Sequence, residues 1–332
     1  MKDKEPLILG VDVGGTKIAT GVVAATNTIV TKTLSPTPPD DDLNVVMQQI
    51  YESIERTLSQ GSITLDQIAG IGVVAPGPLD PQHGVIFHAP NIPAFKNVPL
   101  LELVQARFGK PTLVDNDANA AGLAEALFGA GVGYDHVLYV TVSTGIGTGL
   151  IHRQRIYHGK NGSAGEGGHV TIDHQGRLCG CGRRGCIEAY ASGTALTKRA
   201  VERITTSATP SKILDLVDGD VSRINPIVIA QATQQGDALA GQLIEETGLY
   251  LSIWLGGMLN LLDPDVVIIG GGVSAIGDLL FDTIRAHLPS YTLNPFVANT
   301  PIVGAHFKED VGILGAAALH LRQYSSPRGA SR

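Results

Sequence analysis

The chain has 332 residues, 43% of them hydrophobic and 17% charged, a balance that suits a large buried core and excludes a disordered or fibrous protein. Its 24 basic and 31 acidic residues leave a formal charge of −7, so no broad nucleic-acid footprint is expected. No apolar targeting segment opens the sequence, and the most apolar stretch, Leu249–Leu262, is too short to span a bilayer; a cytoplasmic protein without membrane partners is expected.

Leu7–Val13 is an apolar run ending at Gly14-Gly15, and Thr16–Ala25 resumes it, which predicts two strands joined by a tight turn. Ile29–Thr33 predicts a third strand, and Asp42 is placed to cap a helix over Leu43–Ser59. Ile71–Ala75 reads as a buried strand stopped at Pro76-Gly77-Pro78, while residues 79–97 show no period and predict a long surface loop. Thr112–Val114 predicts a strand running into an alanine-rich helix, Asp117–Phe128. Val137–Val142 and Gly149–His152 predict a second strand pair, joined by the turn Thr144-Gly145-Ile146-Gly147. Helices are expected over residues 193–206, 226–235 and 238–262, and Val266–Ile269 is a buried strand ending in Gly270-Gly271-Gly272. Ala275–Leu288 is helical, and Gly312–Arg322 predicts a final amphipathic helix before a polar tail, Ser325–Arg332, expected to be disordered. The strand–glycine–strand pattern occurs twice, which predicts two related α/β halves with a cleft between them.

Three cysteines, Cys179, Cys181 and Cys186, fall within eight residues, with His169 upstream. An odd count without a signal peptide argues against a disulfide framework, and a Cys₃His set suits tetrahedral Zn²⁺. Three small buried thiols that bind nothing are the plainer alternative. Glu166 stands three residues before His169 and Glu188 two after Cys186, so a metal here would fix two acids and a histidine in place. In Asp12-Val13-Gly14-Gly15-Thr16-Lys17, bare N–H groups in the turn form an anion site, Thr16 and Lys17 add a donor and a charge, and Asp12 could hold Mg²⁺ through water. An ordinary structural turn explains the same glycines about as well. Ser143–Gly149 offers the same chemistry again, and Gly271 and Gly272 leave room for a nucleoside. Neither segment is a Walker A loop, and the triple glycine does not have the Rossmann spacing. Asp117 at a helix start reads as a cap or as a base that accepts a hydroxyl proton during phosphoryl transfer.

Taken in order, Asp12–Lys17, Pro76-Gly77, Asn116-Asp117, Ser143–Gly149, Gly165-Glu166-Gly167-Gly168-His169, Cys179–Glu188 and Gly270–Val273 resemble the ROK family (repressors, open reading frames and sugar kinases). The resemblance covers roughly residues 7–322. It implies an α/β, actin/hexokinase-type (ribonuclease H-like) duplicated fold, two lobes with a ligand cleft between them. The expected division is residues 1–116 plus 309–332 as a small lobe and 117–308 as a large lobe, with the zinc knuckle at 169–186. It further implies an ATP-dependent kinase acting on the 6-hydroxyl of a hexose, D-glucose first, with Mg²⁺ and structural Zn²⁺ as cofactors. Asp117 would be the base; Gly77, Asn116, Asp117, Glu166, His169 and Glu188 would bind sugar. Asp12, Gly14, Gly15, Thr16, Lys17, Thr144, Gly145, Gly271 and Gly272 would bind ATP, and His169, Cys179, Cys181 and Cys186 the zinc. A homodimer or higher homo-oligomer is the implied assembly. Two segments depart from the family pattern: Asp115 replaces the more usual glutamate before Asn-Asp, and Asn91-Ile92-Pro93-Ala94-Phe95 lies where Gly-Trp is expected, in the sugar-side loop.

The rival sugars are N-acetylglucosamine, N-acetylmannosamine, mannose and fructose, and polyphosphate is the rival donor. A sugar-sensing repressor belongs to a different class; with eleven residues ahead of Asp12 no DNA-binding domain is expected. A chaperone-type ATPase of the same fold would give the Cys₃His cluster no purpose.

Overall fold

A computed structural model describes residues 6–206 and 210–322; the tail expected at Ser325–Arg332 lies outside them. The chain divides into two compact units, Met1–Asp135 with Gly149–Gly165 and His306–Arg332, and His136–Thr148 with Glu166–Ala305.

In chain order the elements are β1 (Leu7–Val13), β2 (Lys17–Ala24), β3 (Ile29–Pro36), α1 (Leu43–Gln60) and β4 (Ile68–Ala75). Then come β5 (Leu79–Asp80), β6 (Val85–His88), β7 (Lys96–Pro99), α2 (Leu100–Phe108), β8 (Thr112–Asn116) and α3 (Asp117–Phe128). Next are β9 (His136–Val142), β10 (Ile146–His152), β11 (Arg155–Ile156), α4 (Glu188–Ala191), α5 (Gly193–Thr206), α6 (Lys212–Asp215) and α7 (Pro226–Gln234). The chain closes with α8 (Ala238–Leu262), β12 (Val266–Gly270), α9 (Asp278–His287), β13 (Ile302–Gly304) and α10 (Val311–Leu321).

Two five-stranded sheets share one plan, β3-β2-β1-β4-β8 and β11-β10-β9-β12-β13. In the first, β1–β2–β3 is an antiparallel meander and β4 and β8 add in parallel. In the second, β12 is parallel to both β9 and β13, and β11 is antiparallel to β10. The repeated strand–glycine–strand pattern is therefore the duplicated α/β fold of actin/hexokinase type.

The first unit's core is Val, Ile and Leu from β1, β2 and β4 packed on α1, whose buried positions Val46, Met47, Ile50, Ile54 and Leu58 recur at helical spacing. Asp42 caps α1 by accepting the Asn44 N–H at 2.8 Å. Helix α10 lies on β1, β4 and α3. It approaches the sheet so closely that a side chain at Gly10 would strike the Ile313 carbonyl, and one at Gly72 the Ala316 carbonyl. This close seat buries nearly every face of α10, from Ile313 through Ala318 to Leu321. The expected amphipathic helix is thus an internal one, because its other flank meets α3 instead of water.

Three further expectations change. Residues 79–97 are not a structureless loop: β5, β6 and β7 form a small antiparallel sheet, with Ile86, Ile92 and Phe95 buried. A helix, α2, went unread because its nine residues follow a strand without a polar cap. The partition also departs from the expected lobes: residues 117–135 and 149–165 group with the first unit, since α3 packs on α10 and β11. Among the described residues no helix is long and apolar enough to cross a membrane.

Candidate active site

In the first unit, β1 delivers Asp12 to the edge of the Gly14–Lys17 turn. The Gly14 N–H donates to the Lys17 carbonyl at 3.0 Å, and the Thr37 hydroxyl donates to the Gly14 carbonyl at 2.6 Å. Gly15 faces Asn91: a Cβ there would lie 2.5 Å from the Asn91 Cβ, so the divergent 91–95 segment packs directly on this turn. Thr16 and Lys17 are exposed. Behind the turn the Asp12 carboxylate fills the space a side chain at Gly312 would need, at the start of α10. Burial above all, then the negative charge of Asp117, pushes the Asp12 carboxyl up to about 7 against the opposing pull of Lys17.

Gly77 lies in the bend between β4 and β5. At the β8–α3 junction Asn116, not Asp117, is the cap: its side-chain oxygen accepts the Ala118 and Asn119 N–H groups at 2.9 and 3.3 Å. One Asp117 oxygen accepts the Ala118 N–H at 2.8 Å. The side chain reaches solvent, yet protein atoms crowd it, and the resulting loss of hydration raises its pKa above the usual carboxylate range. A carboxylate raised this way and open to solvent is suited to take a proton. Beneath it Asp115 is buried and fully engaged, by His158 Nε2 at 2.7 Å, the Asn119 amide at 3.1 Å and the Asn116 N–H at 2.8 Å.

The turn after β9 is tighter than expected: β10 begins at Ile146, so Ile146 and Gly147 are strand residues. Ser143 N–H donates to the Gly145 carbonyl at 2.9 Å, and Ser143 accepts the Gly193 N–H at the start of α5 at 2.7 Å. Glu188 holds the far side, one oxygen accepting the Ile146 N–H at 2.9 Å. Any side chain at Gly145 would collide with that oxygen. Beside the turn is a cavity of about 810 Å³, within the range of small-molecule sites. Thr144 and Gly272 line it, together with Lys198, Asn225, Ile227 and Gln231. Gly271, at φ 84°, sets the chain direction after β12.

The Cys₃His group is assembled: the ligand atoms of His169, Cys179, Cys181 and Cys186 all lie within 4.8 Å of one another. Cys181 and Cys186 Sγ are 3.7 Å apart, as are His169 Nδ1 and Cys179 Sγ. Tetrahedral zinc with bonds near 2.3 Å spaces its sulfurs by roughly 3.8 Å, so these side chains fit Zn²⁺. Burial pushes the metal-free Cys179 thiol up to about 12, a proton that metal would displace. Backbone bonds fold the knuckle, Cys179 N–H to Arg183 and Gly182 N–H to Cys179 at 2.8 and 2.9 Å, and the Tyr190 hydroxyl clamps it by accepting the Arg177 N–H and donating to Asp173. His169 is carried by a short turn, Gly167–His169, pinned by Trp254 donating to the Gly167 carbonyl at 3.0 Å. Gly168 must lack a side chain, since one would strike the Ile146 carbonyl. Glu166 is exposed. Glu188 spans knuckle and turn: its other oxygen lies 3.6 Å from Cys179 Sγ.

Within the first unit the fold thus gathers Asp12, the glycine turn and Asp117; within the second it gathers the knuckle, Glu188, Thr144 and Gly145. Missed in the sequence were Thr37, Gly312, Lys198, Asn225 and Gln231. Asn225-Pro226 signals only a capped helix start, and the others carry no local signal at all.

Comparison with known proteins agrees with this geometry. The ROK family model matches residues 8–323. A glucokinase of Thermotoga maritima is 34% identical over 94% of this chain and 96% of its own length. An N-acetylmannosamine kinase of Yersinia pestis is 31% identical over 93% and 96%. The crystal structure of a ROK family glucokinase from Streptomyces griseus in complex with glucose and AMPPNP superposes with a TM-score of 0.80 at 35% identity, covering 94% of this chain and 98% of that one. The chain belongs to the ROK family, close to its bacterial glucokinases.

Proposed function

We propose that this chain is an ATP-dependent hexokinase that phosphorylates the 6-hydroxyl of D-glucose. The carrying observation is the solvent-open Asp117, with its raised pKa, beside a glycine turn whose Thr16 and Lys17 are exposed. Asp117 accepts the proton of the 6-hydroxyl as that oxygen attacks the γ-phosphorus and the bond to the ADP oxygen breaks. The Asn116 amide N–H₂ group, its oxygen being spent on the cap, is left to donate to a neighbouring sugar hydroxyl. The turn amides, Thr16 and Lys17 stabilise charge on the transferring phosphoryl group. In the second unit the cavity beside Thr144 and Gly272 holds the nucleoside, and Lys198 offers a cation to its phosphates. Glu166 and the Nε2 side of His169 serve the sugar's anomeric end.

Asp12 would hold Mg²⁺, which would supply charge neutralisation at the phosphates. His169, Cys179, Cys181 and Cys186 would hold Zn²⁺, which supplies a cross-link within the knuckle. The presence of a glucokinase and an N-acetylmannosamine kinase among the relatives leaves the acetamido sugars as the second reading.

A panel of glucose, mannose, fructose, galactose and the two N-acetylhexosamines, with ATP and Mg²⁺ and scored by kcat/KM, tests the proposal. Glucose is expected to lead. Activity confined to an acetamido sugar overturns the substrate, and no phosphorylation of any sugar overturns the reaction. Replacing ATP by polyphosphate tests the donor.

A further inference from the structure

A second cavity, of about 790 Å³, lies in the first unit away from the glycine turn, bounded by the β8 edge, β11, residues 158–162 and the end of α10. Four basic side chains line it: Arg155, His158, Lys160 and Arg322. Its two acids are already engaged. Asp115 takes His158, Asn119 and a backbone N–H, and Asp80 takes His83 at 2.6 Å and the Gln82 N–H at 2.9 Å. Arg155 and Lys160 have no carboxylate within ion-pair distance among the described residues. Arg155 also stands close enough to Arg322 to help burial lower its pKa, the mark of two like charges converging. Against this basic rim the wall is apolar: Phe87 and Leu113 line the cavity while 46% and 41% exposed. Nothing in the catalytic reading uses any of these groups except Asp115, which braces the Asn116–Asp117 junction.

We infer that this cavity is a binding site for a small phosphomonoester, its phosphate on Arg155 and Lys160 and its body on Phe87 and Leu113. The Arg155 guanidinium fork and the Lys160 ammonium match a doubly charged phosphate, for which arginine offers paired donors, and the charge of Arg322 adds to the field. The exposed ring and isobutyl group give the body a surface that free phosphate would leave bare. The occupant abuts His158, and His158 holds Asp115, so the site adjoins the strand end that carries Asn116 and Asp117 without touching either.

The test is calorimetric titration of the full chain with phenyl phosphate and, separately, inorganic phosphate at fixed ionic strength. Arg155→Gln/Lys160→Gln removes the site, and Lys17→Gln removes the cation of the glycine turn, one of the two lysines assigned above to phosphate. Phenyl phosphate is expected to bind the wild type more tightly than inorganic phosphate. The double variant should lose roughly tenfold or more in affinity, as for a charged hydrogen-bonded contact, with Lys17→Gln unchanged. Phe87→Ala should narrow the gap between the two probes. Equal affinity for both probes, lost in the double variant, assigns the cavity to free phosphate and overturns the phosphomonoester. Binding that survives in the double variant, or vanishes in Lys17→Gln, overturns the site. Both replaced side chains are exposed, and an unchanged melting temperature verifies that the variants fold. Binding is the readout, so the outcome is independent of whether the chain proves to be a glucose kinase.

Discussion

The two glycine turns occupy equivalent places in a repeated sheet plan, yet they are supported by opposite means. The first carries its own charge. Lys17 is in the turn, Asp12 lies beneath it against the start of α10, and a threonine hydroxyl ties it down. The second has no ionisable residue of its own and borrows a carboxylate, Glu188, from the segment that closes the cysteine knuckle. One turn is thus a charged surface and the other a positioned wall of a cavity of about 810 Å³. Duplication set the backbone, and different neighbours gave it different chemistry.

The largest test of that contrast is Asp117→Asn, which should lower kcat by about 10²–10⁴ while glucose binding, followed calorimetrically, stays within a few-fold. A variant retaining a tenth of the wild-type kcat would remove Asp117 from the role of base. On the other side, Cys181→Ser should lose bound zinc, measured on chelator-free protein, and lower the melting temperature. Less than half an equivalent of metal in the wild type would leave the knuckle a packing device. Glu188→Ala separates the turns more finely. It strands the Ile146 N–H, so KM for ATP should rise about tenfold, the scale of one charged hydrogen bond, with Glu188→Gln restoring most of it. A rise confined to KM for sugar would place Glu188 at the anomeric carbon instead.

Asp12 gives the smallest and most pH-specific effect. Its carboxyl is raised from 3.8 to about 7, so the folded protein binds a proton that the unfolded chain has released between those values. The ionised form therefore costs stability that grows from about pH 4 and levels off above pH 7. Asp12→Asn should raise the melting temperature by a few degrees at pH 8 and leave it unchanged at pH 4. The wild-type kcat/KM should fall below pH 7 as Asp12 takes up its proton. A melting difference independent of pH would contradict the assigned burial.

Much of this site could be read from residue order. The strand and helix carrying Asn116 and Asp117, the Asp42 cap, the cysteine spacing and both glycine turns each depend on neighbours a few positions away, where local conformational preference decides. Cap and base were not separable that way, because both Asn116 and Asp117 are good caps; the fold assigns the cap to Asn116 and frees Asp117. Glu188 shows the opposite limit. Its place two residues after Cys186 was visible, but its acceptance of an N–H group 42 residues upstream was not.

Period-two and helical patterning, glycine pairs and the cysteine spacing were enough to indicate a duplicated α/β chain with two glycine turns and a Cys₃His cluster, since those signals are short-range. Contacts between distant segments decided the rest: the inward seat of α10, the raised Asp12 beside Gly312, the cavity at Lys198 and Asn225, and the basic cavity behind Asp115. Each depends on how much water is displaced and which charges are brought together, and both are properties of packing that no local stretch of residues encodes.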